Sequence, residues 1–144
     1  MNPATRRGFF IKDRQTMQTL AHLAAALAAL IHLYIYWLEH HAYGSTRFCR
    51  TFNVAAADLP ALRAPFHNLA LYNLMQALGV LTGITLRLAG IAPGVATGLM
   101  LTPLATMSAA GIYLYITAAD KRRPALIQAL PPLLALAALA FTHL

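Results

Sequence analysis

The stretch MQTLAHLAAALAALIHLYIYWLEHH, Met17 to His41, runs from Met17 to Leu38 without a single Asp, Glu, Lys or Arg. That length is enough to cross a bilayer, whose hydrocarbon core of about 30 Å takes about 20 residues of helix. The run is too long for the apolar region of a signal peptide, and no small-residue cleavage pattern follows it, so it reads as a retained first span. Its Ala- and Leu-rich first half allows close helix approach. Tyr34, Tyr36, Trp37 and Tyr43 gather at its far end, as an aromatic belt at headgroup level does. His32 and Glu39 also lie there, seven residues apart. That spacing is close to two helical turns and sets both side chains on one face. Ionisable groups near membrane depth are costly, so they face a partner, a cavity or a site.

The rest of the composition agrees. The chain has 144 residues, 59% hydrophobic and 10% charged, where a soluble domain carries about 25% charged residues. A mean hydropathy of +0.58 over the whole length requires several spans rather than one. The net charge of +7 comes from basic residues at the ends of apolar segments. There they anchor spans and meet anionic headgroups, so nucleic acid is not an expected partner. The single cysteine, Cys49, excludes an internal disulfide and a Cys-rich metal site.

Outward from the first span, residues 1–16 form a basic lead with Arg6, Arg7, Lys12 and Arg14. This lead either lies as a short interfacial helix or stays frayed. A long loop over residues 40–65 holds Arg47, Arg50, Asp58 and Arg63, with VAAADLPAL as a candidate short helix. A second span is expected over residues 66–86, with Pro65 near its start. Asn68, Tyr72 and Gln76 recur every fourth residue in it and continue into Gly79 and Gly83, whose GxxxG spacing favours helix contact. A third span is expected over residues 94–118, kinked at Pro103, with Gly94, Gly98 and Gly111 as further packing positions. A fourth is expected over residues 124–144, with Gln128 just before Pro131 and Pro132, and LLALAALAF (133–141) as a lipid-facing stretch. The expected fold is therefore all-α: one integral membrane four-helix bundle over residues 17–144 with both termini on the same side. Lys and Arg number four in the lead and one in the second loop, against three in each of the other loops. That balance leaves orientation open.

The intramembrane polar set is His32, Glu39, Asn68, Tyr72, Asn73, Gln76, Tyr113 and Gln128. Interhelical hydrogen bonding alone accounts for Asn, Gln and Tyr. His32 with Glu39 adds chemistry, because a desolvated carboxylate near a histidine can trade protons with it. The sharpest expectation is that His32, Glu39, Asn68, Tyr72 and Gln128 converge on one internal site near one end of the bundle. No metal and no cofactor are expected. HExxH, repeated His boxes and Cys pairs are absent, and the adjacent His40 and His41 should point apart on a helix. Hydrolysis on a GxSxG serine is excluded, since serine occurs only at Ser45 and Ser108.

Four blocks carry a resemblance: HLYIYWLE (His32–Glu39), NLALYN (Asn68–Asn73), AGIY (Ala110–Tyr113) and LIQALPPLLAL (Leu126–Leu136). In order and spacing they resemble an uncharacterised family of small four-span membrane proteins, domain of unknown function 1304, over roughly residues 20–141. The family's blocks read HxYIxxLE, NQGLYNGFLAAG, AGIYG and QxLPA. His32, Tyr34, Glu39, Asn68, Tyr72, Asn73, Gly111, Tyr113, Gln128 and Pro131 stand at matching places. Leu69 and Ala70 replace a favoured Gln and Gly, and His40 a favoured Met. The lost Gln removes one polar group from the candidate site. The resemblance implies a four-helix membrane protein and no established activity.

Three readings of function follow. One is a small transporter or lipophilic-ligand-binding protein, like small multidrug transporters in general layout, which work as dimers around a protonatable carboxylate. Another is a membrane-embedded enzyme on a lipid or isoprenoid substrate, with His32 and Glu39 as acid–base pair. The third is a structural or assembly subunit without chemistry. Expected partners are membrane lipids, a lipophilic small molecule and further copies of the chain, with the plasma (inner) membrane as its location and several passes across it.

Overall fold

The computed structural model describes residues 3–143, with side chains for residues 12–142. Five helices follow one another: α1 (Pro3–His40), α2 (Thr46–Phe52), α3 (Leu59–Leu88), α4 (Pro93–Thr117) and α5 (Arg122–His143). Short 3₁₀ turns at Ala56–Asp58 and Ala119–Lys121 lead into α3 and α5. No strand occurs among the described residues. Lys12–His40, Ala56–Leu88, Pro93–Thr117 and Ala119–Thr142 are each long and apolar enough to cross a membrane. They pack in a ring, α1 on α3, α3 on α4, α4 on α5 and α5 back on α1. Alternating directions around that ring bring both termini to one end of a four-helix bundle.

The bundle is sorted by side-chain size. On α1, Ala21, Ala24, Ala25, Ala28 and Ala29 face inward while Leu20, Leu23, Leu27 and Leu30 face out. In lipid the leucines gain nothing by burial, so close backbone approach decides which residues face the neighbouring helices. The same sorting corrects the expectation for residues 133–141. Ala135, Ala138 and Leu139 join the core beside the α1 alanines, and only Leu133, Leu134 and Phe141 among the large residues of that stretch are strongly exposed.

Three boundaries differ from the sequence reading. First, α1 is one helix of 38 residues, roughly 57 Å long. The basic lead continues it from Pro3 with no break at residue 16, because no proline or paired glycine interrupts the good helix formers between Lys12 and Gln18. The lead's side chains up to Ile11 lie outside the described residues. Second, α3 starts at Leu59 rather than Phe66, and VAAADLPAL holds a short helix as expected, the 3₁₀ turn Ala56–Asp58, which leads directly into α3. Pro65 sits inside it. Pro65 and Ala61, whose carbonyl it leaves without a helical donor, are both exposed, so solvent or headgroups can satisfy that carbonyl. Third, the loop contains α2. Ser45 Oγ accepts from the Phe48 N–H at its start, and Asn53 in the left-handed region ends it.

α2 is pinned by aromatic contacts. Phe48 is fully buried, with its ring 4.6 Å from Tyr43, 5.0 Å from Phe52 and 4.8 Å from Phe66, centroid to centroid. Lys121 Nζ donates to the Thr51 carbonyl at 3.1 Å and ties α2 to the turn before α5.

Candidate functional site

Ala21, Ala25, Ala28, His32 and Glu39 follow one heptad-like line along α1. His32 is 1% exposed and Glu39 4%. The chain has four acidic residues, and among the described side chains Glu39 alone of them is buried.

Most polar groups in the spans satisfy themselves. Ser108 Oγ donates to the Leu104 carbonyl, and Thr85, Thr97, Thr106 and Thr117 each donate to the carbonyl one turn back. His32 Nδ1 pairs with the Ala28 carbonyl at 2.9 Å. Glu39 is different, because a carboxylate on a helix has no carbonyl it can bond. Asn73 Nδ2 donates to Glu39 Oε2 at 2.8 Å. Among the described residues this is the side chain–side chain hydrogen bond that joins two spans, and Oε1 has no partner there.

The bond follows from the α3 register. Ala70, Ala77 and Val80 are buried, and Asn73 lies on their line at 3.6-residue spacing. Tyr72 lies about 100° round the helix from Asn73, and Asn68 about 140°. This corrects the expected convergence. Asn68 is exposed, Tyr72 is 60% exposed, and Tyr113 on α4 is 70% exposed. Gln76 and Gln128 are half-buried and make no side-chain hydrogen bond among the described residues. His32 and Glu39 share a face, but two turns of helix hold them roughly 10 Å apart along the axis. Of the expected set, Glu39 and Asn73 are brought together.

The glycines divide likewise. A methyl group at Gly83 would stand 2.8 Å from the Ala96 carbonyl oxygen and 2.6 Å from Met100 Cγ; at Gly111 it would stand 3.0 Å from Ala129 Cα. At Gly79 it would stand 3.2 Å from the Pro103 ring and 3.6 Å from the Leu99 carbonyl oxygen, which Pro103 deprives of its helical donor. These three are helix contacts. Gly94 and Gly98 have nothing within 4 Å, so the contact expected there is not made within the chain; α4 turns them outward. Gly98 lines a shallow groove of about 470 Å³ along the α3–α4 seam, with Met75, Gly79, Thr82, Thr102 and Pro103. Glu39 and Asn73 do not line it.

Beside Glu39 is a cluster that spacing alone did not show. The rings of His40 and His41 meet at 4.9 Å, and His40 and His67 at 4.8 Å. Tyr36 stacks on His40 at 5.6 Å and its hydroxyl lies 3.3 Å from His41 Nε2. Tyr43 meets His67 edge-on at 5.4 Å, and its hydroxyl donates to the Leu59 carbonyl at 2.6 Å. His40 and His41 do not point apart because α1 ends at His40 and His41 already belongs to the turn. The signal was the aromatic density of residues 34–43, which matched a headgroup belt equally well. Among the described residues no group of three or more His, Cys, Asp or Glu is arranged to hold a metal ion.

No curated protein and no solved structure is found to match the chain. The family model described as "Protein of unknown function (DUF1304)" matches residues 26–140, from within α1 to the last turns of α5 and with Glu39 and Asn73 inside it, and the chain belongs to that family.

Proposed function

We propose that this protein binds, and as a small transporter carries, a lipophilic molecule bearing a positive charge or a hydrogen-bond donor, with Glu39 as its polar anchor. One observation supports this reading above the others. Glu39 is buried, at the end of a span, with one carboxyl oxygen held by Asn73 and the other without a partner among the described residues. Among the described residues His67 Nε2 is the fully buried polar side-chain atom without a partner, so the second Glu39 oxygen keeps a path to its surroundings, and a ligand donor or cation can pair with it there. Asn73 fixes the carboxyl's orientation. Membrane lipids are its surroundings in this reading, and the outward Gly94 and Gly98 give α4 a face on which a further copy of the chain can pack. The plasma (inner) membrane is the location we propose. An acid–base enzyme would need His32 within reach of Glu39, and no observation favours that pairing.

The test is binding of a lipophilic cation, tetraphenylphosphonium, to the protein in lipid nanodiscs, followed by calorimetry. Saturable binding that weakens at least about tenfold, or about 1.4 kcal/mol, in Glu39→Gln is the expected result. Equal binding by wild type and Glu39→Gln, or none by wild type, would overturn the proposal.

A further inference from the structure

We infer that His40, His41 and His67 form a protonation-sensitive latch that closes the end of the α1–α3 seam beside Glu39. The geometry carries this. His40 ends α1, His41 opens the following turn and His67 lies in the early turns of α3, so ring contacts at 4.9 and 4.8 Å bridge the two helices where the chain leaves one and enters the other. Tyr36 and Tyr43 flank the three imidazoles. Such contacts suit neutral rings. His67 Nε2 is buried and has no hydrogen-bond partner, so no acceptor is in place to receive a second imidazole proton.

The charged surroundings do not supply one. On α3, Arg63 lies within electrostatic reach of His67 and adds a like charge. α2 turns Phe48 and Phe52 toward Tyr43 and Phe66 and leaves Arg47 and Arg50 exposed. Lys121, in the turn before α5, is engaged with Thr51 and Asp120. On α1, Glu39 is the nearest anion by sequence, and one of its oxygens is held by Asn73. An imidazole that takes up a second proton becomes a cation, and two or three imidazolium rings in contact repel one another, so the seam opens by separation of His40 from His67. When the protons leave, the rings restack and the seam closes. That the opening would expose Glu39 to a ligand rests on the proposed function; the opening itself does not.

The experiment is a distance measurement by pulsed electron resonance between spin labels at Trp37→Cys and Leu69→Cys, in a Cys49→Ser chain held in nanodiscs. Both label positions are exposed, one on α1 and one on α3. The expected result is a mean distance longer by about 2 Å or more at about pH 5 than at about pH 7.5, with no such change in His40→Phe/His67→Phe, whose rings stack but cannot charge. An unchanged distance in the otherwise wild-type chain overturns the latch, as does the same lengthening in the double variant. Should the double variant not fold, His67→Phe alone is expected to show at most half the lengthening, and an undiminished change there overturns it. No tetraphenylphosphonium binding by the wild type, or equal binding by Glu39→Gln, with the distance change intact would count against the Glu39 reading and leave the latch standing.

Discussion

Asn73 on α3 holds Glu39 on α1 through a 2.8 Å hydrogen bond at the edge of the bundle, with Glu39 as a whole 4% exposed. Asn73→Leu leaves that carboxyl buried without a partner and is expected to destabilise the protein by about 1–3 kcal/mol. Glu39→Gln keeps an oxygen for Asn73 and is expected to cost about 0.6 kcal/mol or less, the usual worth of an interhelical hydrogen bond in a membrane. Denaturant unfolding in detergent micelles compares the two. Asn68→Leu, on the exposed side of α3, is the control, and a cost equal to that of Asn73→Leu would remove the bond from the account.

The α3–α4 contact makes Gly83 and Gly98 opposites. A methyl group at Gly83 meets backbone at 2.8 Å, whereas at Gly98 it meets nothing within 4 Å. Gly83→Ala is therefore expected to cost about 1–3 kcal/mol through separation of the helices. Gly98→Ala should cost nothing and can gain up to about 1 kcal/mol from helix propensity. The same unfolding assay tests the order, and equal tolerance at both positions would contradict the packing.

On the other side of α4, Gly111 lies against Ala129, with a would-be Cβ 2.7 Å from the alanine methyl and 3.0 Å from its Cα and N. Gly111→Ala should destabilise by about 1–3 kcal/mol. Adding Ala129→Gly removes the methyl contact and leaves the two backbone contacts, so the double variant should recover part of the loss. Full recovery would show that the clash is with the methyl alone. No recovery would place it in the backbone.

Phe48 holds α2 to the bundle end through Tyr43, Phe52 and Phe66. Phe48→Ala removes a fully buried ring, a change that costs about 3–5 kcal/mol in a folded core. Because α2 is a short helix outside the four spans, the loss is expected as release of α2 rather than of the bundle. Trypsin should cut after Arg47 and Arg50 at least about tenfold faster, while far-ultraviolet circular dichroism stays close to that of the wild type. Unchanged cleavage would mean that Lys121 and the Ser45 cap suffice.

The sequence by itself determined that this is a helical membrane protein with four spans. That follows from the uncharged run at residues 17–38 and its three successors, because a bilayer admits only helices or closed barrels and sets the length of each crossing. It also singled out Glu39 as costly wherever it lay, and Gly79 and Gly83 as a packing pair. Tertiary structure alone decided the rest. Asn68, Tyr72 and Asn73 are equally good hydrogen-bonding residues in sequence, and only the rotation of α3 against α1 brings Asn73 inward and leaves Tyr72 out. Gly83 and Gly98 each head or end a four-residue glycine spacing, and only the neighbour across the seam separates them. His40, His41 and His67 meet because α1 stops at His40 and the chain returns as α3 beside it. Periodicity places residues on a face, whereas the azimuth of that face is set by which small side chains let two backbones approach, a property of pairs of helices that no single helix carries.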